Sequence, residues 1–169
     1  EDGIRDDLVT GVQTCALPIY RNHLAEAGER FNRVIAMDPR SREAEQAANL
    51  ILDGFALTED WVALRDNARF YHDQANLGSS AFKAEVYGIY ERASLKVIEV
   101  GAAKEPDKGK VGAAYLAFAD EFPKSAQADL ALHDAAVYFR DAARIDDAIA
   151  ARTRLVDRKS TRPNSSHQI

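Results

Sequence analysis

Ser80-Ala-Phe-Lys83 sets a hydroxyl three residues before an amine, the spacing at which serine acyl-enzymes let a lysine depress the pKa of the nucleophile. The same residues have a simpler use. Ser79 and Ser80 follow Gly78 and open a helical stretch, where a serine oxygen caps free backbone N–H groups, and the companion motifs of acyl-enzymes are missing. Capping is the expected role. Gly101 to Gly109-Lys110-Val111 has the glycines and lysine of a phosphate loop, but the spacing is wrong, no Ser or Thr follows the lysine and no strand precedes it. A junction between two helices accounts for it. His23, His72 and His133 have no second His, Cys or carboxylate at metal-ligand spacing. The exceptions are Asp73 and Asp134, whose adjacent positions send them elsewhere around a helix. No catalytic, cofactor or metal site is therefore expected. Phe70, Tyr71, Tyr87, Tyr90, Tyr115, Phe118, Tyr138 and Phe139 would form a base-stacking platform only with interleaved Arg and Lys. Without them they are expected between helices, as core and groove lining. Trp61, after Thr58-Glu-Asp60, is expected to anchor packing beside an N-cap.

The two ends of the chain stand apart from what lies between. Val9–Ile19, and Glu1–Asp6 before it, match in frame the translation of a short-read sequencing adapter, with Asp7-Leu8 in the place of its index. Asp157–His167 matches the opposite adapter strand with one departure, Pro163, and Gln168-Ile169 again fills the index. Residues 1–19 and 157–169 are therefore expected to be non-native tails, dispensable for folding, around a protein segment of residues 20–156. The one cysteine, Cys15, falls in a tail and carries no redox information. Of the net charge of −5, residues 20–156 carry −4, since the first tail contributes −3 and the second +2. Such mild acidity weighs against a nucleic-acid partner, which needs a basic stripe. No apolar run approaches the roughly 18 residues of a membrane span, so none is expected here.

Helical period dominates residues 20–156. Ala, Leu, Glu and Arg abound, Thr is sparse, and breakers fall at Asp38-Pro39, Asn76–Ser80, Pro106–Gly109 and Pro123. Helices are predicted at 20–37, 42–57, 60–74, 80–104, 109–121, 125–142 and 145–156. Short links between them imply antiparallel hairpins. A repeat runs through the pattern. Ala27, Phe31, Val34, Ile35 and Pro39 are echoed by Val111, Tyr115, Phe118, Ala119 and Pro123 at the same offsets. Ala148, Leu155 and Val156 begin a third copy, and Leu64, Ala68 and Tyr71 form a weaker one. The anchors Ala27, Leu64, Val111 and Ala148 are spaced by 37, 47 and 37 residues, and the long turns at Asn76–Ser80 and Lys104–Gly109 house the expansion.

This pattern resembles the tetratricopeptide-repeat family, whose unit is a helix pair alternating small and large apolar positions. The best copy is Leu130–Val156. Leu132, Ala135, Ala136 and Phe139 match the first helix, Ala143 stands where the family prefers Gly, Ile145 matches the turn's aromatic site, and Ala148 the small contact of the second helix. Tyr90, Ala93, Ser94 and Val97 match with a turn about five residues longer than usual. Tyr115–Ser125 followed by Ala128, with its aromatic-Pro-x-Ser exit, is similar to repeats of bacterial cell-envelope proteins such as the Tol–Pal system coordinator and the outer-membrane assembly lipoproteins. The resemblance implies an all-α fold, a right-handed superhelix of antiparallel hairpins with about three and a half units. It also implies a periplasmic or outer-membrane setting, and a concave face that takes a peptide or a partner protein rather than catalysis. That face would present Gln46, Asn49 and Asp53 in one unit and Leu130, His133, Val137 and Arg140 in another. The lining is mixed, not the Lys- and Asn-rich array with which family members clamp a C-terminal carboxylate. Alternatives are a docking arm for a catalytic domain elsewhere in the gene, and an architectural segment of a cell-envelope assembly. At the ends, Phe31, Val34 and Ile35, and Ile149 and Leu155, are expected to lack a packing partner and to favour self-association.

Overall fold

The computed structural model describes residues 24–161, all-helical with no strand among them. Its helices are α1 (Leu24–Met37), α2 (Arg42–Leu57), α3 (Trp61–Asp73), α4 (Ser80–Ala102), α5 (Lys108–Glu121), α6 (Ala128–Asp141) and α7 (Ile145–Thr161). Residues 1–19, His23 and the start of the predicted first helix lie outside the described residues. The chain forms two compact units, meeting within α4 between Tyr90 and Glu91. In the first, α1 packs on α2 and α2 on α3; in the second, α5 packs on α6 and α6 on α7.

Caps set the boundaries. The Ser41 hydroxyl accepts from Ala44 N–H and opens α2, the Asp60 carboxylate accepts from Ala63 N–H and opens α3, and Asp107 does the same for α5 through Gly109 and Lys110. The α2–α3 and α6–α7 turns are built alike. The Asp60 amide donates to Phe55 C=O at 3.0 Å and that of Arg144 to Phe139 C=O at 2.8 Å. Each turn needs one left-handed residue, and the chain supplies Glu59 (φ 55°) and Ala143 (φ 58°) where glycine is the usual choice.

The two turns are one feature occurring twice. α1 begins at 24 and ends at 37, α5 at 108 and 121, a shift of 84 at both ends. The same shift carries Glu59 onto Ala143, the start of α3 onto that of α7, and Ala44, Ala47, Ala48, Ile51 and Leu52 onto Ala128, Ala131, Leu132, Ala135 and Ala136, all ten buried. Small residues on these faces let neighbouring backbones approach closely. The first unit is thus the structural double of the second through three helices.

Several expectations are corrected. Phe31 and Ile35 are buried, because α2 packs on α1; Val34 is half-buried. Leu155 is buried too, with Ala151, while Ala148 is half-exposed and Val156 exposed, so α7 turns a different stripe inward than the repeat anchor implied. Phe70 is 56% exposed and not core. α7 runs past 156 to Thr161, because Asp157–Thr161 contains no breaker and Arg158 and Lys159 suit the negative end of the helix dipole. Arg158 is moreover held: its Nε donates to Asp129 Oδ1 at 3.0 Å and its Nη1 to Pro123 C=O at 2.8 Å.

Burial pushes the phenols of Tyr71 and Tyr115 up to about 12, Tyr115 with help from its neighbours Tyr138, Asp134 and Glu99. In the unfolded chain they ionise near 10, so the contribution is intact below pH 10 and is lost as pH rises from 10 towards 12. An alkaline series of thermal melts should fall in that window, with two late phenols in the tyrosinate absorbance. A melting temperature level through pH 12 would contradict it.

Candidate functional site

Burying the alanine side of α2 and α6 determines what each helix turns outward. On α2, residues 46, 49 and 53 share a face by the helical period. Gln46 and Asp53 are exposed, whereas Asn49 is half-buried. Its Oδ1 is enclosed without a hydrogen-bond partner, the one such side-chain atom among the described residues. On α6, Leu130, His133, Val137 and Arg140 form the corresponding face. Leu130 is 52% exposed, His133 and Arg140 are exposed, and Val137 is half-buried. Under the shift of 84, Gln46, Asn49 and Asp53 fall on Leu130, His133 and Val137. Each predicted set therefore shares a face of its own helix, and the two faces are structural equivalents.

Neighbouring carboxylates dress this surface. His133 Nδ1 lies 3.2 Å from Asp134 Oδ1, and His72 Nδ1 3.0 Å from Asp73 Oδ1. Adjacent positions were expected to diverge. On an exposed helix surface both short side chains bend over the backbone and meet, a solvent-screened pairing of little energetic weight. Arg140 donates through Nε and Nη2 to Asp141 Oδ1 at 3.0 and 2.8 Å.

The residues with apparent chemistry have structural duties. The Ser79 hydroxyl accepts from Phe82 N–H at 3.2 Å and caps α4. Lys83 Nζ donates to the carbonyls of Tyr71, His72 and Gln74, closing the C-terminus of α3. Partial burial lowers the Lys83 pKa, with Asp73 opposing the shift. In the supposed phosphate loop, the Asp107 carboxylate already takes the amides of Gly109 and Lys110 at 2.9 and 3.2 Å.

A second feature lies beside the α6 face. α6 and α7 enclose an open apolar groove of about 460 Å³, lined by Val137, Ile145, Ala148, Ile149 and Val156 and flanked by Arg140 and Arg152. Ile149 is 59% and Val156 64% exposed. The sequence marked Ile149 as unpartnered; the position of Val156 depends on the altered inward stripe of α7. Among the described residues no helix is long and apolar enough to cross a membrane. Comparison of the chain with protein-family models, with curated proteins and with solved structures found no match.

Proposed function

We propose that this chain is a protein–protein interaction scaffold of the tetratricopeptide type, a binding module rather than a catalyst, in which the outward face of α2 in the first unit and that of α6 in the second are each a surface for a peptide or partner protein. One observation supports this above the others. At equivalent positions the inward faces of the two helices are apolar and buried throughout, while the outward faces change chemical class: Gln46 against Leu130, Asn49 against His133, Asp53 against Val137. Packing imposes the same demand on both copies, so the outward differences are free to serve recognition. The mixed polar, apolar and cationic character suits a protein partner better than a nucleic acid.

The test uses the full-length gene in its own cells. A photo-crosslinking amino acid at His133 should trap a discrete partner, and one at Gln46 a partner as well. The double change His133→Glu with Arg140→Glu should weaken capture by about tenfold or more, because two exposed positions turn anionic. The melting temperature should hold, as both side chains lie at the surface. Capture that survives these changes but vanishes with substitutions at Ile149 would sink the proposal and leave self-association through the α7 end as the better account.

A further inference from the structure

We draw no further inference here: the strongest candidate, the open apolar groove between α6 and α7 lined by Val137, Ile145, Ile149 and Val156, carries none because nothing in the structure shows what covers it.

Discussion

Phe139→Ala should lower the stability of the second unit by about 3–5 kcal/mol, the range for deleting a fully buried aromatic ring from a site that cannot collapse. The ring is 1% exposed. One side faces Gly112 of α5, so closely that a Cβ added there would come within 2.9 Å of it. The Arg144 guanidinium lies 4.8 Å from the ring centre. The buried neighbours on α6 are Ala135 and Ala136, with no rotamers to swing into a void. The cavity should persist and its cost should not be recovered. Arg152→Ala, on the exposed side of α7 in the same hairpin, should stay within about 0.5 kcal/mol. Chemical denaturation monitored by helical circular dichroism measures both. Equal costs would mean that the α6–α7 register is wrong.

The helices were legible because their ends carry chemistry readable one residue at a time. Ser41, Asp60 and Asp107 cap, Pro39 and Pro123 stop, and the alanine spacing of α2 and α6 shows which side turns inward. The candidate faces came from the family resemblance; Gln46, Asp53, Leu130, His133 and Arg140 are exposed on them, while Asn49 and Val137 are half-buried. What the period does not encode was not legible. The left-handed turn residues are Glu59 and Ala143, neither of which signals positive φ. The meeting of His133 with Asp134 depends on rotamers, and so does the enclosure of Asn49 Oδ1. Phe70 looks like core by composition, yet Leu64, Ala68 and Tyr71 define the inward stripe of α3 and Phe70 falls off it. The role of Arg158 required knowing that Pro123 C=O and Asp129 stand side by side, a tertiary fact.

The same substitution should have opposite effects in the two copies of the repeat. Gly28 and Gly112 are equivalent under the shift of 84, one on α1 and one on α5. At Gly112 a new Cβ would lie 2.9–3.1 Å from three carbon atoms of the buried Phe139 ring. Overpacking of that kind costs about 1–3 kcal/mol, and the better helix propensity of alanine returns about 1. Gly112→Ala should therefore be destabilising by up to about 2 kcal/mol. At Gly28 nothing lies within 4 Å of the added atom. The equivalent aromatic, Phe55, is only half-buried and lines a small cleft with Gly28, Phe31 and Ile51 instead of pressing on the glycine. Gly28→Ala should then stabilise α1 by about 1 kcal/mol, the helix-propensity gain with no steric charge against it. Thermal melts of the two single variants check the pair. Phe139→Leu in the Gly112→Ala background supplies the mechanism, since a smaller, more pliant side chain should accept the new methyl and reduce the penalty of the glycine change. If Gly28→Ala destabilises as much as Gly112→Ala, the two hairpins pack alike at this point and the contrast between Phe55 and Phe139 has no energetic content.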